Sequence, residues 1–217
     1  MIASNISAIR QQLPPGVDLV AVSKWQTAEN IMQAYAAGQR YFGENRAQEF
    51  AAKFTQLPKD IVWHFIGHLQ TNKVKMVVGK AALIHSVDSA RLLWAIEREA
   101  LQQGVSQKCL LELHIAAETS KSGFSAEEWE AFIGKQEFRQ LKAVKICGLM
   151  GMASLVENEQ QVRAEFRTLK HQFDTLKESV FAGDADFCHL SMGMSGDWPL
   201  AVAEGSTLIR VGTQIFG

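Results

Sequence analysis

The sequence lacks the features that mark membrane, secreted and nucleic-acid-binding proteins. No apolar run approaches the roughly 18 residues that a membrane-spanning helix needs, and the first residues lack the basic-then-apolar layout of a signal peptide. The 217 residues include 22 basic and 23 acidic side chains, without a basic stripe of the kind that binds nucleic acid. These absences predict a cytoplasmic protein with no membrane or nucleic-acid partner. With no signal for assembly, we expect a monomer.

Cysteine is scarce, and metal-binding spacings are missing. Cys109, Cys147 and Cys188 lie far apart in strand-like runs, which predicts reduced, buried and structural thiols. His64 and His68 have an H-x3-H spacing, but no cysteine or carboxylate completes a ligand set, so we interpret both as structural and expect no metal. Linkers rich in proline, glycine or serine are also missing, which predicts a single domain, 1–217.

What the sequence does contain is a regular alternation of strand-like and helix-like segments. The predicted strands are 17–24, 41–44, 62–67, 83–87, 108–115, 144–150, 187–192 and 208–215. Eight strands that alternate with helices over this length predict an α/β fold, a (β/α)8 barrel of the TIM type. An open doubly wound sheet is the alternative.

The predicted helices begin and end at recognisable signals. Thr27 is the N-cap candidate of the helix after the first strand, and Ser89 and Gly104 bracket a later helix. The longest helix lies within 157–180 and carries apolar residues at helical spacing. An extra helix is predicted in the N-terminal segment, where it would cover the seam between strands eight and one. No helix is expected after strand eight.

Lys24 gives the first functional signal. In the run DLVAVSKW, Val20 and Val22 share a strand face with Lys24, because side chains alternate along a strand. A lysine charge on the face that the valines bury is costly unless it is paired or neutralised. In (β/α)8 barrels the site lies at the C-terminal ends of the strands, which is where Lys24 falls.

Phosphate-binding features follow strands seven and eight, where such barrels often bind phosphate. Ser195 leads into a short helix, and Gly212 and Thr213 stand at the end of strand eight. Arg210 shares a strand face with Gly212 and is expected to point into the barrel mouth. Because strand eight neighbours strand one in a closed barrel, the Lys24 amine would lie beside a phosphate cradle. This suggests an aldehyde-bearing phosphate compound held as a Schiff base.

Several motifs, taken together, resemble a known family. They are AVSK (21–24), FGEN (42–45), WHFIGHLQTNK (63–73), SKSG (120–123), GLM (148–150), LSMGMSGD (190–197) and GSTLIRVGTQIFG (205–217). In this order they resemble the pyridoxal phosphate homeostasis proteins, single-domain relatives of the barrel half of alanine racemase. The motifs span nearly the whole chain, so the set is far more specific than any one motif alone.

The resemblance implies a cofactor, pyridoxal 5′-phosphate, and a set of residues that bind it. These residues are Lys24, Asn45, Ser195, Arg210, Gly212 and Thr213. The lysine would form the Schiff base, the serine and the Gly-Thr pair would bind the phosphate, and the asparagine would lie near the ring. The arginine would face the pyridine nitrogen, where a cation discourages protonation and leaves the ring a weaker electron sink.

Two functions fit these residues. One is a protein that holds, buffers or delivers pyridoxal phosphate, with client enzymes as partners, and so influences vitamin B6 and amino-acid pools. The other is an amino-acid racemase, which needs a proton donor or acceptor on each face of the substrate carbon. The only tyrosines are Tyr35, in a helix, and Tyr41, at the wrong end of strand two, so the racemase lacks half its chemistry.

The motif set argues against a third alternative, a Schiff-base aldolase. Lys121 is interpreted as a solvated loop residue, and a second amine near the site is the alternative.

Overall fold

The computed structural model describes residues 1–118 and 122–217 and contains a closed barrel of eight parallel strands. The strands are β1 (Asp18–Val22), β2 (Tyr41–Glu44), β3 (Val62–Phe65), β4 (Leu83–Val87), β5 (Gln107–Leu113), β6 (Val144–Gly151), β7 (His189–Ser191) and β8 (Leu208–Val211). Each strand pairs with the next along the chain, and β8 pairs with β1. The pairing of β8 with β1 confirms the (β/α)8 barrel and excludes the open sheet.

Helices connect the strands and surround the barrel. They are α1 (Ile2–Gln12), α2 (Ala28–Ala36), α3 (Ala47–Gln56), α4 (Ala90–Gln103), α5 (Ala126–Lys135), α6 (Glu159–Glu178), α7 (Trp198–Ala203) and α8 (Thr213–Phe216), with short 3-10 helices at Thr71–Met76 and Glu137–Gln140. The predicted N-caps are present: Thr27 accepts the N–H of Asn30, and Ser89 accepts that of Leu92. Across the described ranges, no helix is long and apolar enough to span a membrane.

Helix α6 shows how the amphipathic pattern becomes packing. Its buried residues are Val162, Phe166, Leu169, Phe173 and Leu176, at the helical spacing that the sequence shows. This stripe lies against the barrel at β6. The cap is Asn158, whose side chain accepts the N–H groups of Gln160 and Gln161.

The first and last helices lie where β8 meets β1. Helix α1 packs against α2 and α8, and Asn5 Nδ2 donates to the carbonyl of Ile215 at 3.1 Å. The predicted N-terminal helix is therefore present beside the seam. One detail differs, because we expected no helix after strand eight. The carbonyl of Gly212 accepts the N–H groups of Ile215 and Phe216, which turns the chain out of the strand into α8.

The apolar core has two layers, one inside the barrel and one between strands and helices. The interior layer consists of Val20, Leu83, Leu110, Cys147, Met150 and Leu208. Cys147 and Met150 are three residues apart, so strict alternation would place them on opposite faces. A register shift between β5 and β6, a β-bulge, adds a residue to β6 between them and returns both to the interior.

The cysteines are free thiols, but not all are buried. Cys109 and Cys147 are buried, as predicted, and burial raises the pKa of Cys147 to about 11. Cys188 is exposed, so the prediction was wrong for this residue. The reason is the length of β7, which begins at His189 rather than at residue 187 and leaves Cys188 in the preceding loop.

Candidate functional site

Lys24 lies in a turn beyond the C-terminal end of β1, at the mouth of the barrel. We expected strand one to reach this residue, but the strand ends at Val22. The side chain is half-buried, and its Nζ atom lies 4.8 Å from the centroid of the Trp25 ring. The amine is therefore held at the rim of the mouth and not inside the packed interior.

The predicted phosphate-binding residues come together on the neighbouring strand. The N–H of Gly212 donates to Ser195 Oγ at 3.3 Å, which joins the loop after β7 to the end of β8. Thr213 follows as the first residue of α8. A Cβ atom on Gly212 would lie 3.2 Å from the Cβ atom of Val22. Because Lys24 follows Val22 closely in the chain, its backbone leaves β1 near the cradle.

Polar contacts hold the two loops that form this cradle. Asp197 Oδ1 accepts the N–H of Met194 at 2.6 Å and closes the loop after β7. Trp198 Nε1 donates to Gln214 Oε1 at 2.9 Å and ties α7 to α8. The cradle is thus fixed by the protein itself, as most ligand sites are.

Arg210 is almost fully buried at the inner end of the mouth. Its side chain is 3% exposed, and its guanidinium donates to Ser191 Oγ and, at 3.1 Å, to the carbonyl of Gly151. Burial lowers the pKa of Arg210 to about 10, which still leaves the group cationic at neutral pH. The structure therefore places a positive charge inside the barrel, where it is hydrogen-bonded to residues of β6 and β7.

A chain of hydrogen bonds continues from Arg210 into the barrel. His85 Nδ1 lies 2.9 Å from Ser191 Oγ, and His85 Nε2 lies 2.8 Å from His64 Nδ1. An arginine can only donate, and the described residues offer the Ser191 hydroxyl proton no other acceptor than His85 Nδ1. The chain therefore runs in one direction, from Arg210 to Ser191, His85 and His64.

Both histidines of this chain are neutral at physiological pH. Burial, together with the nearby charge of Arg210, lowers the pKa of His85 well below its usual value. Burial lowers the pKa of His64 to about 3. The sequence singled out His64 but not His85 or Ser191, because no local spacing links residues on β3, β4 and β7.

Asn45 follows β2 and carries an unsatisfied side-chain atom. Its side-chain Oδ1 is buried and has no hydrogen-bond partner among the described residues. The next loop packs directly on this residue, since a Cβ atom on Gly67 would lie 2.2 Å from the Asn45 carbonyl oxygen. Only glycine allows that approach, which explains one position of the motif WHFIGHLQTNK.

Two buried carboxyl groups near the C-terminal ends of the strands were not predicted as site residues from the sequence. Glu112 on β5 is 1% exposed and accepts the hydroxyl of Ser122 at 2.6 Å, and burial raises its pKa. Glu44, at the end of β2, is fully buried and accepts from Ser23 Oγ and Lys53 Nζ. An acidic residue inside an apolar strand was the signal that could have identified each of them.

His64, His68 and Lys121 were also considered in the sequence. His64 and His68 do not come together, because His64 contacts His85 inside the barrel while His68 pairs with Asp88 at 2.9 Å on the surface. The part of the chain that the structure describes contains no group of three potential metal ligands. Lys121 lies outside the described residues.

Known proteins resemble this chain along its full length. The alanine racemase N-terminal domain family matches residues 1–217. A pyridoxal phosphate homeostasis protein of Synechocystis is 39% identical over 216 residues, which cover 99% of this chain and 97% of that protein. One from Aquifex aeolicus is 39% identical over 200 residues, 92% of this chain and 86% of its own.

Solved structures agree with these matches. PipY of Synechococcus elongatus, with PLP bound, has a TM-score of 0.88 and 42% identity over 100% of both chains, and without PLP the values are 0.92 and 43%. The fold and the mouth thus define a barrel of the alanine racemase N-terminal class. Within that class, the chain belongs to the pyridoxal phosphate homeostasis proteins.

Proposed function

We propose that this chain binds pyridoxal 5′-phosphate as a Schiff base on Lys24 and holds it as part of vitamin B6 homeostasis. The observation that carries the proposal is the contact of Gly212 with Ser195, formed directly beside the end of β1 from which Lys24 extends. PipY, 42% identical over its full length, has been solved with PLP bound. We further propose that residues 1–217 act as one domain, as a monomer in the cytoplasm.

Each residue of the mouth would have a defined task. Pyridoxal 5′-phosphate supplies an aldehyde that condenses with a primary amine. Lys24 would provide that amine, while Ser195, Gly212 and Thr213 would bind the phosphate through hydroxyl and backbone N–H groups. Arg210 would present its charge to the pyridine nitrogen.

The residues present fit this cofactor. A side chain at Gly212 would fill space beside Val22, so the absence of a Cβ atom keeps the cradle open. The unpaired Oδ1 of Asn45 is an acceptor that a bound ligand can satisfy. The pyridine ring of the cofactor would therefore lie between Lys24, the cradle and Asn45.

A holding role fits the mouth better than racemisation. Tyr41 is the first residue of β2, and the Tyr35 hydroxyl bonds to Asp60, which precedes β3. Both tyrosines therefore lie at the end of the barrel opposite Lys24, so neither can act as the second base. We propose that client enzymes take up the cofactor from the open mouth.

Reductive trapping tests the proposed linkage. Borohydride treatment of the protein with pyridoxal 5′-phosphate, followed by peptide mass mapping, should place the adduct on the peptide that contains Lys24. Lys24→Ala should lose the adduct and keep its fold, because the cradle does not depend on the amine. An adduct confined to Lys73 or Lys121 would contradict the assignment.

Isotope exchange distinguishes holding from catalysis. Incubation with L-alanine in deuterated water should give neither D-alanine nor α-proton exchange at a typical enzymatic rate of about 1 per second. Exchange at that rate together with inversion would establish a racemase instead. Slow exchange without inversion agrees with the holding role.

A further inference from the structure

The turn that carries Lys24 has a strained backbone. Trp25, the next residue, has φ 62°, and among the described residues only Gln136 is another non-glycine residue with positive φ. Such a conformation is unfavourable for a residue with a Cβ atom and persists where surrounding contacts hold it. The Trp25 side chain is 69% exposed, so packing of the ring does not hold this backbone.

Helix α3 supplies the contacts that hold the turn. Glu49 Oε1 accepts the N–H of Trp25 at 2.8 Å, and Lys53 Nζ donates to the carbonyl of Ser23 at 2.8 Å. Glu49 and Lys53 lie one helical turn apart and form an ion pair of 2.7 Å. The residues on either side of Lys24 are therefore bonded to the same pair.

The Lys53 ammonium is fully engaged in this arrangement. It is 8% exposed and donates to three acceptors, Ser23 O, Glu44 Oε1 and Glu49 Oε1. Three donors are all that an ammonium has, so the group is satisfied. Glu44 also accepts the Ser23 hydroxyl at 2.6 Å and fixes the start of the turn from the β2 side.

Glu49 is ionised at neutral pH and can act as a firm acceptor. Burial opposes its ionisation, but the Lys53 ammonium and the Trp25 N–H outweigh that effect and hold the pKa of Glu49 below its usual value. Hydrogen bonds to a charged acceptor are stronger than neutral ones. Among the described residues, no hydrogen bond of this network involves the Lys24 side chain.

We propose that Glu49 and Lys53 are positioning residues that fix the backbone on both sides of Lys24, so that its Nζ atom reaches the aldehyde of a phosphate ester bound in the cradle. This inference rests on the proposed function. In the step that it serves, the Nζ lone pair attacks the aldehyde carbon and a C=N bond replaces the C=O bond. The oxygen leaves as water with both hydrogens of the neutral amine. Fixing the reacting amine in advance lowers the entropic cost of this step.

The test separates positioning of the amine from binding of the phosphate. Glu49→Ala removes the acceptor of the Trp25 N–H and leaves Lys53 paired with Glu44, so the fold is retained. Attachment of pyridoxal 5′-phosphate to Lys24, followed by borohydride trapping over time, should slow by about tenfold or more. The affinity for pyridoxine 5′-phosphate, which has an alcohol in place of the aldehyde, should stay within about twofold of the unchanged protein.

Two variants serve as controls. Asp174→Ala breaks a similar pair, Lys170 with Asp174, also one helical turn apart, on α6. It should change neither the attachment rate nor the affinity. Glu49→Gln keeps an acceptor for the Trp25 N–H and should recover most of the attachment rate.

A second measurement uses the cofactor-free protein. The Trp25 N–H should be protected from hydrogen exchange, and the protection should fall in Glu49→Ala but not in Asp174→Ala. This arm is independent of the proposed function. If the unchanged protein never attaches the cofactor at Lys24, the proposed function is wrong. The hydrogen-exchange measurement still tests whether Glu49 fixes the backbone at Trp25.

The outcomes that would overturn the inference are definite. An unchanged attachment rate in Glu49→Ala would show that the network does not position the amine. Equal losses of attachment rate and of pyridoxine 5′-phosphate affinity would show a general structural role. If Glu49→Ala does not fold, Lys53→Met carries the same test from the other side of the ion pair, with the same expected pattern.

Discussion

Gly212 follows β8 and lies close to Val22 at the end of β1. A Cβ atom there would lie 3.2 Å from the Val22 Cβ atom and 3.4 Å from the Val22 carbonyl oxygen. Valine at this position would fill the space beside Val22 that glycine leaves open. We expect Gly212→Val to weaken binding of pyridoxal 5′-phosphate by about tenfold or more, measured by titration of the absorbance of the bound cofactor.

The matched control for this substitution is Gly134→Val. Gly134 lies on α5, and a Cβ atom there would meet nothing within 4 Å. Its substitution should leave binding unchanged. Pyridoxal, which lacks the phosphate, should bind the unchanged protein much more weakly than the phosphate ester. Equal affinities for the two compounds would show that these residues do not form a phosphate cradle.

The candidate site was predictable where its residues stand in local motifs. Lys24, Ser195, Gly212 and Arg210 each follow from a strand end or a Gly-containing loop, and barrel topology brings them together. The structure joins Gly212 to Ser195 and brings Gly212 close to Val22, while the roles of the site residues in binding stay predictions. The supporting groups were not predictable, because they meet across the chain: His85 and Ser191 are 106 positions apart.

At the scale of elements, the helices were predictable because each carries its own signals. The cap of Ser89, the glycine at 104 with φ 67° and the spaced apolar stripe of α6 are all local in sequence. The ends of the strands were less predictable from the sequence. The sequence predicts strand eight to residue 215, because β-branched and apolar residues continue past its end. In the structure the strand ends at Val211, and Thr213 starts a helix.

Strand β6 shows a further limit of period-two reasoning. Its bulge lies at Gly148, which has φ 147°, and a Cβ atom there would lie 1.8 Å from the carbonyl oxygen of His189 on β7. We expect Gly148→Ala to lower the free energy of unfolding by about 3 kcal/mol or more, from backbone strain plus the clash between strands. Urea denaturation monitored by circular dichroism measures this change.

A substitution at Gly183 measures backbone strain without a steric clash. Its φ is 78°, and a Cβ atom would meet nothing within 4 Å. Gly183→Ala should therefore lower the free energy of unfolding by only about 1–2 kcal/mol. If both variants lose the same amount, the close contact of β6 with β7 is not what requires glycine.

At the scale of the whole molecule, the interior histidines link stability to pH. Burial lowers the pKa of His64 to about 3, whereas in the unfolded chain it is near 6.5. Between these two values the unfolded chain binds a proton that the folded protein does not, so the free energy of unfolding falls as the pH falls below 6.5. One such group contributes a slope of about 1.4 kcal/mol per pH unit.

Other groups titrate in the same range, so the prediction is a difference between variants. Glu44 and Glu112 have raised pKa values in the folded protein. As the pH falls toward the pKa of a free carboxyl group, the folded protein binds protons at these residues before the unfolded chain does. The two carboxyl groups therefore oppose the effect of the histidines on the free energy of unfolding. We expect His64→Gln, which cannot titrate, to flatten the dependence of unfolding free energy on pH by about 1.4 kcal/mol per unit below pH 6.5. His171→Gln, at an exposed position on α6, should leave the dependence unchanged.

The one-way chain from Arg210 also explains how a cation can reside inside a barrel. Each member, from the Ser191 hydroxyl through His85 to His64, turns the negative end of its dipole toward the guanidinium. Lined up in this way, they replace the hydration shell that the arginine loses. A proton on either imidazole would add a like charge and disrupt this internal solvation. The charge of Arg210 is therefore sustained by keeping the interior neutral.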